Sequence, residues 1–216
     1  MGEGSSFSGK THEEAGMELY FVRHGETVMN REKRLLSRTD VPLSPKGREE
    51  AGAVRDFLLK HEISFDCVLS SPMLRTLETA QILAGNLTDI RKDNRLLEMD
   101  YGPYEGIRLD DPPPEITYFF RDFVHHPAPE GMESLDEVKA RMQSFLEDAK
   151  RKPAKRMLIV THAISLKGAL EVLTPGADGA WWSRYIHTCA VFRTVYRDGA
   201  FGVPEEIFTL QRMHEE

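Results

Sequence analysis

Arginine and histidine follow directly on the first apolar run of this chain, at Arg23 and His24, with Gly25 next in sequence. The run Leu19–Val22 is rich in strand-forming residues, and a glycine permits a sharp exit from a strand. An arginine is a planar fork suited to phosphate oxygens, and a histidine can be base, acid, metal ligand or nucleophile. Alone, such a tripeptide is more typical of a strand end with polar surface residues.

An arginine or a histidine also follows two further predicted strands. Phe65–Leu69 is an apolar run, and the predicted helix Met73–Leu83 that follows it carries Arg75 in its first turn. An arginine there opposes the helix dipole unless an anion binds nearby. Met157–Val160 is the third run, and it ends at Thr161 and His162. If these strands are parallel, Arg75 and His162 join His24 at one edge of the sheet, where ligands of open α/β sheets bind.

Helix and turn signals separate these strands. Ser44 and Pro45 begin one predicted helix, Ser134–Glu137 is a capping box that begins another, and a third spans Ile164–Leu173. Ser70 and Ser71 are interpreted as the cap of the helix that carries Arg75. A short strand is expected within Thr88–Leu97. Near the end of the chain, Ala190–Tyr196 and Phe201–Leu210, separated by a turn at Asp198 and Gly199, predict an antiparallel edge of the sheet.

Two segments do not belong to this series of strands and helices. Residues 1–16 are polar and rich in glycine and serine, which predicts a disordered leader or tag before a domain at 17–216. Residues 100–133 are predicted to form a lid. Its aromatic side chains require a packing surface: Tyr118, Phe119, Phe120 and Phe123. His125 and His126 are expected on the surface of the lid.

Composition excludes several classes of protein. The chain has 216 residues, 40% of them hydrophobic and 29% charged, as in globular domains. A net charge of -7 argues against nucleic acid as a partner. No apolar run approaches the roughly 20 residues of a membrane helix, so no membrane partner is expected. Cys67 and Cys189 lie in apolar, strand-like runs, which favours buried thiols and a cytoplasmic location.

Six segments, in this order, resemble one family: LYFVRHGETVMN, RTDVPLSPKG, SSPMLRTLETA, LLEMDYGPYEG, PEGMESLDEVKAR and LIVTH. The sequence is similar to the histidine phosphatase superfamily, whose namesake group is the cofactor-dependent phosphoglycerate mutases. The resemblance spans about Leu19–Leu170. The closer likeness is to the small, broad-specificity phosphatase branch, which includes α-ribazole-phosphate phosphatases.

The resemblance implies a fold, a reaction and a site. The fold would be α/β, a three-layer α/β/α sandwich around a mostly parallel sheet with a small lid insertion. The chain would be a metal-independent phosphomonoesterase of the histidine acid phosphatase type, without a cofactor, acting on a small phosphorylated metabolite. The nucleophile would be His24 and the proton donor Glu98. The phosphoryl group would be held by four side chains and one backbone N–H: Arg23, Arg75, His162, Asn30 and the N–H of Ala163.

These roles fit the chemistry of phosphoryl transfer. Its loose, highly charged transition state is stabilised mainly by positioned cations. Two guanidinium groups would lower the pKa of His24 and keep its imidazole neutral and nucleophilic. A backbone carbonyl near Gly25 is expected to fix one ring nitrogen, so that the other faces phosphorus.

The sequence departs from the family pattern at three places, the mildest being Tyr104 where Trp is usual, and leaves other functions open. Leu36 and Ser37 stand where many relatives have Gln-Gly, and Ala163 and Ile164 replace a frequent Gly-Gly. A phosphoglycerate-type phosphomutase is the main alternative, and a non-catalytic phospho-ligand binder is another. A metal-dependent hydrolase would use His24, His162 and Glu98 as ligands, without an HExxH spacing to support it. A homodimer is also left open.

Overall fold

Seven strands form one mixed sheet over the residues that the structure describes, 16–85, 87 and 89–211 of a computed structural model. The strands are β1 Met17–Arg23, β2 Cys67–Ser70, β3 Ile90–Lys92, β4 Arg156–Thr161, β5 Val191–Arg197, β6 Ala200–Phe201 and β7 Glu205–Phe208. Their order is β3-β2-β4-β1-β5-β6, with β7 also paired to β5. The expected leader, apart from Gly16, lies outside the described residues, as does Thr88.

The four consecutive strands β3, β2, β4 and β1 are parallel, and β5 runs antiparallel to β1. Val22 of β1 pairs with Val160 of β4, and Val160 also pairs with Ser70 of β2. The three strands therefore end level with one another. This register brings together the segments that follow them, and these segments carry His24, Ser71 and His162.

The helices are α1 Val28–Arg31, α2 Pro45–Lys60, α3 Leu74–Leu83, α4 Pro114–Arg121, α5 Leu135–Ala149, α6 Ala163–Leu173 and α7 Ala180–Ser183, with 3-10 helices at Asn94–Leu96 and Gly102–Tyr104. Ser44 and Ser134 cap α2 and α5 as predicted. The predicted serine cap of α3 is wrong. Met73 is the N-cap residue, without a side-chain hydrogen bond, and Ser71 instead contacts His162.

Helices cover both faces of the sheet. Side chains of a strand alternate between faces, so Leu19 and Phe21 pack with α5 and α6, whereas Tyr20 and Val22 pack with α2 and α3. Both sets are buried. The expected three-layer α/β/α sandwich around a mostly parallel sheet is confirmed.

The lid segment contains α4 and packs on the same side as α5 and α6. Phe119 and Phe123 are buried there, and their rings meet edge-on with centroids 4.9 Å apart. The expectation that Tyr118 also needs a packing surface is wrong, because that side chain is 54% exposed. Its ring lies near that of the exposed His126, with centroids 5.9 Å apart.

The end of the chain forms the predicted antiparallel edge. β6 and β7 both pair with β5, and the turn between β5 and β6 places Asp198 and Gly199 at positive φ, as an Asp-Gly hairpin requires. Within the described part of the chain, no helix has the length and apolar character needed to cross a bilayer.

Candidate active site

His24 follows β1 and is almost fully enclosed, with 3% of its surface exposed. Its Nδ1 lies 2.7 Å from the carbonyl oxygen of Gly25. Because a carbonyl only accepts, Nδ1 carries the proton of the neutral ring and Nε2 carries the lone pair. The expected anchoring of His24 by a backbone carbonyl is confirmed.

Burial, more than neighbouring charge, keeps this imidazole neutral. Burial lowers the pKa of His24 well below its usual range, and the positive charges of Arg75 and Arg23 lower it further. The hydrogen bond to Gly25 opposes these effects only in part. The two arginines, which the sequence predicts as the cause of the lowered pKa, contribute less than burial does.

A glycine is required at position 25 because another backbone passes directly beside it. A Cβ on Gly25 would lie 2.4 Å from the carbonyl oxygen of Gly47, near the start of α2. The Gly25 N–H donates to Thr79 Oγ1 of α3. This close approach holds the turn after His24 against two helices.

His162 lies beside His24 at the end of β4, with ring centroids 5.1 Å apart and planes at 68°. It is fully buried, and burial lowers its pKa well below the usual range of an imidazole. Its Nε2 lies 2.8 Å from Ser71 Oγ, whereas its Nδ1 is buried without a hydrogen-bond partner. A buried orphan of this kind is free to meet a ligand.

Arg75 is fully buried and its two terminal nitrogens donate to the carbonyls of Thr39 and Ser37. Burial lowers the pKa of Arg75 to about 10, so it remains charged at neutral pH. Arg23 donates from Nη1 to the carbonyl of Ile186. The Nε of each arginine is buried and unpartnered. Both guanidinium groups are thus fixed by carbonyls while keeping N–H groups for an anion.

Asn30 is held by the capping box of α1. Its Oδ1 accepts from the backbone N–H and the hydroxyl of Thr27, and its own N–H donates to Thr27 Oγ1. The side-chain oxygen of Asn30 is therefore used as the acceptor in the helix cap. The amide nitrogen Nδ2 remains as a donor at the pocket that Asn30 lines.

Glu98 is buried at the N-terminus of α6. Its carboxylate accepts from the backbone N–H groups of Ile164, Ser165 and Met99, at 2.9 to 3.2 Å. Ala163, the first residue of α6, lines the same pocket. The helix that follows His162 therefore positions the candidate proton donor at the pocket that His24 lines.

The pocket has a volume of about 280 Å³ and a polar end formed by Arg23, His24, Asn30 and Glu98. The rest of the lining contains two further cations, Arg34 and Lys167, and a set of apolar side chains from the 35–36 loop, the lid, α6 and the segment after α7: Leu35, Leu36, Phe120, Phe123, Ile164 and Ile186. Leu36, which departs from the family pattern, is one of these wall residues. Arg75 and His162 lie buried behind the polar end.

Three contributors were not predicted from the sequence. Ser71 contacts His162, the Glu105 carboxylate binds the N–H groups of Ser37 and Thr39, and Lys167 lines the pocket from α6. Each role depends on packing between distant segments. For Lys167 alone a signal existed, because it lies four residues after Ala163 and so on the same helix face.

The lid histidines take no part in this pocket. Nδ1 of His125 lies 2.7 Å from a carboxylate oxygen of Asp122, and both His125 and His126 are exposed. Among the described residues, no group of three or more His, Cys, Asp or Glu side chains is arranged to hold a metal ion.

The chemistry of these groups suits a phosphoryl group. A neutral imidazole with an available lone pair is a nucleophile. The surrounding N–H groups are placed where negative charge would develop during phosphoryl transfer. A carboxyl group lies at the same pocket and could supply or remove a proton.

Comparisons with known proteins identify the family of this chain. The model of the histidine phosphatase superfamily (branch 1) matches residues 19–205. Probable phosphoglycerate mutase GpmB of Shigella boydii is 33% identical over 190 residues, covering 84% of this chain and 86% of that protein.

Two solved structures share the fold. Bacillus stearothermophilus YhfR is 31% identical, with a TM-score of 0.74 over 87% of this chain and 95% of that chain. The alpha-ribazole phosphatase of Shigella flexneri has a TM-score of 0.75 over 87% of this chain and 94% of that chain, at 21% identity. The family match and the GpmB identity, each extending over most of the chain, place this protein in the histidine phosphatase superfamily.

Proposed function

We propose that this chain is a metal-independent phosphomonoesterase that hydrolyses a small phosphorylated metabolite through a phosphohistidine at His24. The observation that carries the proposal is the pairing of a buried, neutral His24 with unpartnered N–H groups of Arg23 and Arg75. Those groups suit the oxygens of a phosphoryl group. A cytoplasmic location and a homodimer remain predictions.

The reaction would proceed in two displacements. First, the Nε2 lone pair of His24 attacks phosphorus, the bond to the ester oxygen breaks, and Glu98 gives its proton to the departing alkoxide. Arg23, Arg75, His162, Asn30 and the N–H of Ala163 would hold the phosphoryl oxygens. Second, water attacks phosphorus, the bond between phosphorus and Nε2 breaks and returns its electron pair to His24, Glu98 takes a proton from the attacking water, and inorganic phosphate leaves.

A phosphomutase is the second candidate, because GpmB, named a probable phosphoglycerate mutase, is 33% identical to this chain. A mutase must return the phosphoryl group to a hydroxyl of the bound substrate and keep water out. The two reactions differ in their product. Steady release of inorganic phosphate without a bisphosphate primer favours hydrolysis, whereas isomerisation that depends on the primer favours the mutase.

A non-catalytic binder is disfavoured because the proposed nucleophile, the proton donor and the phosphoryl-holding side chains are all present in one pocket or directly behind it. Such a binder would still bind phosphate esters but would release no phosphate. The same assay therefore separates it from both enzymes.

The proposal is tested by a phosphatase screen over a panel of metabolites, comparing the wild type with His24→Ala. We expect phosphate release from some members of the panel, and a loss of at least about 10⁴-fold in the variant, because no other group replaces the nucleophile. His61→Ala is the control, since His61 is exposed at the end of α2. Equal rates for His24→Ala and the wild type would overturn the proposal.

A further inference from the structure

Lys167 is a buried cation in the substrate pocket. Its side chain projects from α6 and only 7% of the residue is exposed. The ammonium group donates to the carbonyl of Trp182 at 2.7 Å and lies 4.9 Å from the centre of the Phe123 ring. It lines the same pocket as His24 and Glu98.

No acidic side chain of the described residues forms an ion pair with Lys167. Glu98 attracts it from a distance, and Arg23 repels it. Burial lowers the pKa of Lys167 to about 8, so the group is still mainly protonated at neutral pH. One bond to a carbonyl leaves further N–H donors of the ammonium available. A buried cation without a counter-ion is costly, and such groups concentrate at functional sites.

The position of Lys167 relative to the reaction centre follows from helix geometry. Ala163 and Lys167 are four residues apart in α6, so they lie on one face about 6 Å apart along the axis. Helical side chains lean toward the N-terminus, which here is the end that carries His162 and Glu98. The ammonium lies against the Trp182 carbonyl and the Phe123 ring, in the same pocket as His24 and Glu98, so the leaving group of a phosphoester bound at His24 can extend toward it.

We propose that Lys167 determines specificity by binding a carboxylate on the leaving group of the substrate, about one helical turn from the transferred phosphorus. The inference rests on the proposed function, because it assumes that the phosphoryl group occupies the polar end of the pocket. The substrate class is then that of small phosphorylated carboxylic acids.

A carboxylate fits this position better than a second phosphate. Lys167 provides a single positive charge, because Arg34, the other cation of this part of the pocket, is already paired with Glu32. The side chain beside the ammonium is the apolar ring of Phe123. A phosphate dianion needs several cations or N–H donors, whereas one ammonium neutralises one carboxylate. A neutral hydroxyl would leave the buried charge without compensation.

The test compares two esters that differ only in the group proposed to meet Lys167. 3-Phosphoglycerate carries a carboxylate where glycerol 3-phosphate carries a hydroxymethyl group. We expect the ratio of kcat/KM for 3-phosphoglycerate to that for glycerol 3-phosphate to fall about 10- to 100-fold in Lys167→Met, the range for a lost charge-assisted hydrogen bond. An unchanged ratio would overturn the inference.

Two further variants exclude trivial explanations. Lys139→Met removes an exposed lysine of α5, and the ratio should be the same as in the wild type. If Lys167→Met fails to fold in a thermal melt, Lys167→Gln takes its place, because an amide can still donate to the Trp182 carbonyl but carries no charge. The same fall in the ratio is expected for Lys167→Gln.

Binding without turnover separates this inference from the proposed function. In the His24→Ala background, calorimetry should show tighter binding of 3-phosphoglycerate than of glycerol 3-phosphate, and the difference should vanish when Lys167→Met is added. If the two esters show this Lys167-dependent difference in binding but the wild type releases no phosphate from any ester, the proposed phosphatase activity is contradicted and the inference about Lys167 is supported. Equal binding of the two esters to His24→Ala would overturn the inference even if hydrolysis is observed.

Discussion

Glu98 has two sets of neighbours, the backbone N–H groups at the start of α6 and the pocket that contains His24. The backbone contacts fix the carboxyl group in place, which is what a proton donor requires. How much the reaction needs that proton depends on the leaving group. An alkoxide is too basic to depart unprotonated, whereas p-nitrophenolate departs readily.

The variant Glu98→Gln should therefore discriminate between leaving groups. We expect kcat/KM for an alkyl phosphate to fall about 10²- to 10⁴-fold, the usual contribution of general acid catalysis, and kcat/KM for p-nitrophenyl phosphate to fall far less. Steady-state rates with both esters measure the difference, with the exposed Glu130→Gln as control. A similar loss for both esters would refute the role of Glu98 as acid.

At the scale of structural elements, the loop that follows Leu36 holds Arg75 in place. The carbonyls of Ser37 and Thr39 accept from the two ends of the Arg75 guanidinium, and the N–H groups of the same two residues donate to Glu105. Glu105, from the segment 100–133 predicted as the lid, thus orders the loop whose carbonyls hold Arg75, the arginine proposed to bind phosphate.

Replacing Glu105 with glutamine should lower activity without removing any group that contacts substrate. The amide loses the charge that binds two N–H groups, so the loop relaxes and Arg75 shifts. We expect kcat/KM to fall about 10- to 100-fold, because small displacements of positioning groups have effects of that size. Glu105→Asp keeps the carboxylate and should retain more activity than Glu105→Gln. Unchanged activity in Glu105→Gln would show that the loop does not need the carboxylate and would contradict the prediction.

The elements themselves were largely predictable, but the contacts between them were not. Apolar runs that end in Arg23 and His24 or in His162 indicate strands with polar ends, and the sheet register aligns those ends. The contact of Ser71 with His162 and the bonds of Glu105 to the 37–39 loop join segments far apart in sequence. Neither hydrophobic periodicity nor a cap signal encodes such a pairing, so Ser71 was misinterpreted as a helix cap.

At the scale of the whole molecule, burying two imidazoles affects the pH dependence of folding. The pKa values of His24 and His162 are well below the usual value of a histidine, mainly because of burial. In the unfolded chain both would take up protons as pH falls through about 6.5. The unfolded state then binds more protons than the folded state, so stability is fully present above that pH and decreases below it.

We expect the free energy of unfolding to decline from pH 7 to pH 5.5 by up to about 1.4 kcal/mol per pH unit for each imidazole. Denaturant titrations at several pH values measure the slope, and His162→Gln should reduce it by about half. His125→Gln, which removes an exposed lid histidine, is the control. A slope that is the same in His162→Gln and the wild type would show that these buried rings do not govern acid sensitivity.

The most direct test of the account is the identification of a phosphorylated residue during turnover. The protein is mixed with a reactive phosphate ester, quenched in alkaline denaturant, where phosphohistidine survives, and digested for mass spectrometry. We expect an acid-labile phosphoryl group on His24 in the wild type and none in His24→Ala. Turnover without any phosphoenzyme, or with the phosphoryl group on another residue, would contradict the account.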